Sequence, residues 1–140
     1  MHEDGYRWVE HTAELELEIR GADERAVFSE ALRAFAELVG DGHPRGSAGR
    51  AAAVSREVAL DGDERAVQLA QWLDELEYLA ETEDLVPEAI ERFELAGPGL
   101  RVTVRCHRGR PRNVVKGVTY HRLSFTGDRD GYRATVILDV

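Results

Sequence analysis

The feature that most constrains the fold of this 140-residue chain is a strict alternation of acidic and apolar residues near its beginning. In the stretch ELELEI, Glu14, Glu16 and Glu18 alternate with three aliphatic residues. Because successive side chains of a β-strand point to opposite faces, this pattern predicts a strand with one face in the core and the other toward water. The carboxylates then form a solvated face, or one of them has a function.

The rest of the chain predicts an α+β fold. Asp23 can cap a helix that ends near Val39, because apolar residues recur there with helical spacing. A second helix begins after Asp61 or Asp63 and runs to about Glu81. We expect one domain of all 140 residues, with two helices packed on one face of a largely antiparallel or mixed β-sheet of about six to seven strands. The predicted strands are Tyr6–Glu10, Glu14–Arg20, Ala53–Leu60, Glu88–Leu95, Leu100–Cys106, Gly117–Phe125 and Tyr132–Val140.

Composition excludes several classes of protein. No apolar run reaches the roughly 18–20 residues of a membrane-spanning helix, and the first residues lack the basic and apolar regions of a secretory signal. The net charge of −9 argues against a surface that grips a nucleic-acid backbone. We therefore expect a soluble, cytoplasmic protein with no membrane contact.

A basic run, RCHRGRPRNVVK (residues 105–116), interrupts this acidic chain. It is either a solvated loop between strands or a docking loop for an acidic or phosphorylated partner. Cys106, the single cysteine, excludes an internal disulfide. Its cationic neighbours would favour a reactive thiolate, whereas the alternative is an ordinary residue at a strand end. The candidate docking residues are Arg105, Arg108, Arg110 and Arg112.

Carboxylates at strand ends are candidate metal ligands. Glu14 begins one predicted strand and Asp139 is the penultimate residue of another. If these strands are neighbours, both side chains and the terminal carboxylate of Val140 converge. Oxygen groups suit a hard cation such as Ca²⁺ or Mg²⁺, which would also remove the repulsion between them. The alternative is that these acids belong to a solvated face.

Two carboxylates of the second predicted helix are less easily assigned. Glu77 falls on the apolar stripe, so it must reach the rim, find a cation or stay partly protonated. Glu75 lies on the other flank, where either a functional or a solvated carboxylate fits.

Four stretches, in order, resemble the archease family. They are WVEHTAELELEIRG, QWLDELEYLAETE, VVKGVTYHRLSF and the final VILDV. They are similar to an HTAD-like strand entry, a W-L-x-E-L-x-Y helix, a K-A-x-T-Y-H strand and a D-[IV] terminus. The resemblance covers nearly the whole chain.

The resemblance implies a divalent-metal site formed by Glu14, Asp139 and Val140. Glu14 stands where the family usually has Asp, so its carboxylate is one methylene further from the backbone. Calcium tolerates such a change better than magnesium, which demands near-octahedral geometry. We therefore expect Ca²⁺, with Mg²⁺ or Mn²⁺ as alternatives.

The resemblance also implies a function without catalysis by this chain. Archeases activate a GTP-dependent RNA ligase in tRNA splicing and RNA repair, by promoting attachment of GMP to the ligase and repeated turnover. We expect the ligase to be the partner, with RNA reached only through it. The residues expected to serve activation and partner contact are Lys116, His121, Glu75 and Asp41.

Two other functions remain open from the sequence. One is a small metal-dependent hydrolase that uses Glu14, Asp139 and Glu75, although no nucleophile or general-base pair has clear spacing. The other is a general chaperone or adaptor that acts through an exposed surface.

Overall fold

The structure is a computed structural model that describes residues 4–40, 53–112 and 115–140. Within these ranges the chain forms two helices and seven strands, in the predicted order. The helices are α1 (Glu24–Val39) and α2 (Arg65–Glu83). The strands are β1 (Gly5–His11), β2 (Glu14–Gly21), β3 (Val54–Leu60), β4 (Leu85–Ala96), β5 (Gly99–Arg108), β6 (Gly117–Asp128) and β7 (Gly131–Asp139).

The α+β class is confirmed, and the described strands divide between two antiparallel sheets. Sheet A has the order β1-β2-β7-β6, and sheet B has the order β3-β5-β4. The sequence predicted a single sheet because alternation indicates which face of a strand is buried and says nothing about which strands are neighbours. Both helices contact both sheets: α1 packs on β2 and β4, and α2 packs on β6, β3 and β4.

Aromatic residues join these layers at the centre of the core. The ring of Phe28 on α1 lies 6.4 Å from Trp72, 5.4 Å from Phe93 and 6.0 Å from Phe125, measured between centroids. The indole Nε1–H of Trp72 donates to the Phe28 carbonyl at 3.0 Å, so the buried indole is not left without a partner. One side chain therefore ties α2 and both sheets to α1.

The beginnings of the two helices differ. The Asp23 side chain accepts a hydrogen bond from the Ala26 N–H at 2.8 Å, which confirms the predicted cap of α1. The predicted cap of α2 by Asp61 or Asp63 is wrong, because Glu64 occupies that position without a side-chain cap. Instead, Gln68 in the first turn reaches back and donates to the Gly62 carbonyl at 2.8 Å.

Strand β4 begins earlier than predicted. It includes Pro87, which was expected to precede the strand. The proline is tolerated because β4 is an edge strand of sheet B and its register shifts between Pro87 and Ala89. Neither of the helices in the described ranges is long and apolar enough to cross a membrane.

Candidate functional site at one end of sheet A

The backbone of sheet A brings together residues that are far apart in the sequence. Glu14 on β2 lies directly opposite Asp139 on β7, and Gly117 on β6 pairs with Asp139 from the other side. The Lys116 N–H donates to the Asp139 carbonyl at 2.8 Å, and the Val140 N–H donates to the Ala13 carbonyl at 3.4 Å. We call this group the tip; its members are Ala13, Glu14, Lys116, Gly117, Asp139 and Val140.

The two opposed carboxylates of the tip lack a cation from the described part of the chain. Neither Glu14 nor Asp139 makes a side-chain hydrogen bond or ion pair with another described residue. Directly opposed side chains on antiparallel strands have Cβ atoms about 4.5–5.5 Å apart, and like charges at that distance are destabilising. The tip therefore has an excess of negative charge at one place.

The donor set of the tip consists of oxygen atoms. Over residues 4–40, 53–112 and 115–140, no three side chains of His, Cys, Asp or Glu come close enough to hold a metal ion together. The tip offers two side-chain carboxylates and a main-chain oxygen of Val140. Hard divalent cations accept such a set, because water completes their coordination. The residues present thus fit a hydrated Ca²⁺ or Mg²⁺ ion.

The backbone is strained on the turn that leads into the tip. Ala13 has φ 61°, in the left-handed region that residues with a Cβ rarely adopt. It forms the two-residue turn with Thr12 that joins β1 to β2. Strain of this kind persists only where the surrounding structure holds it, and it is often found at functional sites.

The other two glutamates of β2 differ from Glu14 because each has a cation. Glu18 accepts from Arg7 Nε at 3.0 Å. Glu16 Oε1 lies 3.0 Å from His11 Nε2 and 3.1 Å from Arg122 Nη2. The hydrogen bond from His11 and the charge of Arg122 lower the pKa of Glu16, although burial opposes this effect. Glu16 lies on the outer face of the sheet, but His11 and Arg122 cover it, so its side chain is only 12% exposed.

Arg122 lies in an irregular part of β6 and was not among the residues predicted from the sequence. Five residue steps on β6, from Thr119 to Ser124, span two steps on β7, from Ile137 to Thr135, so three residues are extra. We call Tyr120–Leu123 the β6 bulge. A signal was present in the sequence: Val118 and Phe125 both pack against the core but are seven residues apart, an odd spacing that a regular strand cannot place on one face.

The residues expected to contact a partner lie in different places. Lys116 is exposed at the tip and makes no ion pair within the described chain. His121 is exposed in the β6 bulge, where its N–H donates to Thr119 Oγ1 at 3.1 Å. Glu75 is exposed on α2 and makes no hydrogen bond to the tip. Asp41 lies outside the described residues.

The predicted docking loop is partly a strand. Arg105 and Arg108 belong to β5, so the solvated-loop interpretation is wrong for them. Arg105 Nε lies 3.2 Å from Glu88 Oε1 and is already paired within sheet B. Arg108 and Arg110 are exposed beyond this pair. Arg112 also lies beyond the strand, and its N–H donates to the carbonyl of the last residue of α1 at 2.8 Å.

Cys106 is a core residue. Its side chain is fully buried, and burial raises the pKa of the thiol to about 11. Alternation along β5 explains why the cationic neighbours do not activate it, because Arg105 and His107 point to the opposite face of the sheet. The interpretation as an ordinary structural residue fits, because burial disfavours a reactive thiolate.

Glu77 lies half-buried in a small pocket between the helices and the chain leading to the tip. Burial raises the pKa of Glu77 to about 7, and a hydrogen bond with Glu81 and the charges of Glu81 and Asp74 add to this effect. Of the three alternatives that the sequence left open for Glu77, partial protonation fits this setting. The other lining residues are Phe35, Val39, Ala80, Glu81, Pro111 and Val115.

Comparison with known proteins gives a consistent result. The model of the Archease protein family (MTH1598/TM1083) matches residues 6–140. Protein archease of Archaeoglobus fulgidus is 28% identical, over 96% of this chain and 98% of its own. Protein archease of Methanothermobacter thermautotrophicus is 29% identical, over 97% and 99%.

Two solved structures have the same fold. The solution structure of protein 1598 of Methanobacterium thermoautotrophicum matches with a TM-score of 0.72 and 26% identity, over 97% of this chain and 99% of that one. A crystal structure from Thermotoga maritima, described as an archease and possible chaperone, matches with a TM-score of 0.63 and 24% identity, over 99% and 100%. Because the family model extends over nearly the whole sequence, from β1 to the tip, this chain belongs to the archease family.

Proposed function

We propose that this protein is a non-catalytic activator of a GTP-dependent RNA ligase in tRNA splicing and RNA repair. It promotes guanylylation of the ligase and multiple turnover, and it touches RNA only through the ligase. Membership of the archease family supports this proposal, together with the resemblance of four sequence stretches to the family's motifs. The proposed partner is the ligase itself.

The observation that carries the proposal is the direct opposition of Glu14 and Asp139 at the tip. A folded chain that sets two like charges opposite each other without a cation of its own gains stability when a divalent ion binds there. We propose that Glu14, Asp139 and a main-chain oxygen of Val140 hold a divalent metal, Ca²⁺ in preference to Mg²⁺ or Mn²⁺. The metal would supply a concentrated positive charge at the exposed end of sheet A.

Lys116 adds a second positive charge at the same end. Its ammonium group is a compact, flexible point charge that suits a phosphate or an acidic side chain. It is exposed, and its backbone is fixed through the hydrogen bond to Asp139. A tip with a metal and Lys116 side by side can enter the mouth of a nucleotide-binding site and bias the placement of phosphate or metal there.

The test counts ligation events per ligase molecule. The purified protein is mixed with its cognate ligase, GTP and a nicked or broken tRNA, and we expect more ligations per ligase molecule than the ligase performs alone. Lys116→Ala and Asp139→Asn should each reduce stimulation at least tenfold. The matched control is Glu57→Gln, an exposed carboxylate on sheet B, which should leave stimulation unchanged.

Other outcomes separate the alternatives. No rise in turnover with wild-type protein removes the proposal. Full stimulation by both tip variants instead favours a general chaperone or adaptor; the Thermotoga relative is described as a possible chaperone. Hydrolysis of phosphoesters by the isolated protein, abolished by Asp139→Asn, would favour a metal-dependent hydrolase.

A further inference from the structure

We propose that Glu16 is a positioning residue that, through Arg122 and His11, holds the β6 bulge in one conformation beside the tip. The claim about conformation stands on the geometry of sheet A alone. Its consequence for ligase activation rests on the proposed function.

The β6 bulge needs an external restraint. Three extra residues are inserted opposite β7, so this part of β6 lacks the regular hydrogen bonds of the sheet. Arg122 within it has φ 57°, in the left-handed region that is unfavourable for a residue with a Cβ. A strained, unpaired segment at a sheet edge keeps one conformation only if neighbouring groups hold it.

Glu16 supplies that restraint from the centre of the sheet. Its carboxylate receives Arg122 from β6 at 3.1 Å and His11 from β1 at 3.0 Å. A single side chain on β2 thus links both edge strands of sheet A across its outer face. The Glu16 side chain is only 12% exposed, whereas Arg122 is 49% and His11 36% exposed, so the carboxylate is shielded while its two partners stay partly solvated.

The burial of Ile137, beneath the contacts of Glu16 with Arg122 and His11, indicates that the bulge packs against the sheet. Ile137 on β7 is the cross-strand partner of Glu16 and of Thr119, on the face of sheet A away from the helices. It is 0% exposed, yet it is not part of the main core. An aliphatic side chain on the outer face of a sheet is shielded so completely only when other chain atoms lie over it.

With Arg122 held by Glu16, the two aromatic residues of the bulge face outward. Tyr120 is 53% exposed, and His121 is exposed with its N–H fixed by the Thr119 hydroxyl. Thr119 is two residues from Gly117 of the tip, so Tyr120 and His121 extend the tip along the edge of the sheet. Holding the bulge therefore sets the position of groups adjacent to the proposed metal site.

The first experiment measures hydrogen–deuterium exchange across the bulge without any ligase. In Glu16→Gln we expect the amide of His121, whose N–H donates to the Thr119 hydroxyl, to exchange at least tenfold faster, while the exchange of α1 and α2 is unchanged. Arg122→Gly should give the same result and should fold, because glycine accepts the left-handed backbone. The matched control is Glu18→Gln, which loses a more exposed ion pair of the same strand and should leave the bulge protected.

The second experiment asks what the bulge does for the partner. If Glu16 acts only by positioning, the concentration of Glu16→Gln giving half-maximal ligase stimulation should rise at least fivefold while the maximum is retained. Arg122→Lys, which preserves the charge, should restore part of the wild-type value relative to Arg122→Gly.

The outcomes are separable. Unchanged exchange of the His121 amide in folded Glu16→Gln and Arg122→Gly overturns the restraint. Faster exchange with an unaltered half-maximal concentration overturns the role in partner contact. If wild-type protein does not stimulate the ligase, the proposed function fails, and the exchange experiment still decides whether Glu16 holds the bulge.

Discussion

Acidic side chains have different neighbours on the outer face of sheet B and at the tip of sheet A. On sheet B, Glu88 lies 3.2 Å from Arg105 Nε and 3.0 Å from His107 Nδ1, and Glu57 lies 3.8 Å from Arg101 Nε. These acids meet cations of neighbouring strands. At the tip, two carboxylates face each other without a cation from the described chain.

The difference teaches how a candidate functional acid can be distinguished from ordinary surface acids. Cross-strand pairs of opposite charge stabilise a sheet slightly, and like charges directly opposite destabilise it. Sheet B therefore follows the rule for a solvated surface, whereas Glu14 and Asp139 break it. In a chain of net charge −9, acids on sheet B are paired and these two are opposed without a cation from the described chain, which is why we propose them as metal ligands.

The largest expected effect comes from supplying that cation. Calcium at about 100 times its dissociation constant, first measured by calorimetry, should raise the free energy of unfolding by about 2.7 kcal/mol if it binds only the folded protein. Asp139→Asn should abolish the rise. Without calcium the same substitution should be neutral or stabilising, by up to about 1 kcal/mol, because it removes the repulsion with Glu14. Urea unfolding monitored by tryptophan fluorescence measures both quantities.

Glu57→Gln on sheet B is the control for this experiment and should keep the full calcium effect. An equal rise in free energy with Asp139→Asn would mean that calcium binds elsewhere. It would also remove the contrast between the tip and sheet B.

The sequence predicted the elements well and the long-range pairs poorly. Alternation in β2 correctly assigned Leu17 and Ile19 to the core, because periodicity depends only on local backbone geometry. It could not show that Arg122 covers Glu16, since that contact depends on strand order and on the β6 bulge. The presence of cations was visible in the sequence, but their partners were not.

The tip itself was anticipated for a different reason. Nothing in the spacing of Glu14 and Asp139 made their strands neighbours; the resemblance to the archease motifs suggested it. The strand register now sets these two residues opposite each other. Metal binding by this pair is what the calcium experiment tests.

Protonation is a second way to reduce the repulsion between neighbouring acids, and Glu77 is the residue at which it can be tested. Its pKa is raised to about 7, chiefly by burial and by the hydrogen bond with Glu81. A raised pKa means that the folded state binds the proton more tightly, so the stabilisation is fully present below pH 4.5 and is lost as pH rises through 7. Relative to Glu77→Gln, the free energy of unfolding of the wild type should fall by about 1.5 kcal/mol between pH 5 and 8. This is less than the whole pKa shift would give, because solvent screens a half-buried group.

Thermal and urea unfolding across this pH range would measure the slope. The control is Glu94→Gln, an exposed acid on β4, which should keep the wild-type slope. Identical slopes for wild type and Glu77→Gln would show that the pair with Glu81 holds no proton near neutral pH. Protonation would then not explain how the neighbouring acids Glu77 and Glu81 are tolerated. The comparison of acidic groups would be limited to the tip and sheet B.

On sheet B, the removal of Glu88 should have a moderate effect. Glu88→Gln loses interactions with Arg105 and His107 together, and a partly buried carboxylate with two such partners contributes about 1 kcal/mol. The expected loss in the free energy of unfolding is independent of calcium, unlike that at the tip. If calcium restored the stability of Glu88→Gln beyond its effect on wild type, sheet B and the tip would not be distinct.

The smallest effect belongs to Arg101, whose pair with Glu57 is long and solvent-exposed. The two side chains are 3.8 Å apart and both are more than half exposed. Water screens their attraction, and ordering two flexible side chains costs entropy. Arg101→Gln should therefore change the free energy of unfolding by less than about 0.5 kcal/mol. A double substitution with Glu57→Gln should give a coupling energy near zero in urea unfolding. A coupling above about 1 kcal/mol would show that charge pairing on sheet B contributes strongly to stability. The repulsion at the tip would then cost the fold more than assumed above, and Asp139→Asn without calcium should be correspondingly more stabilising.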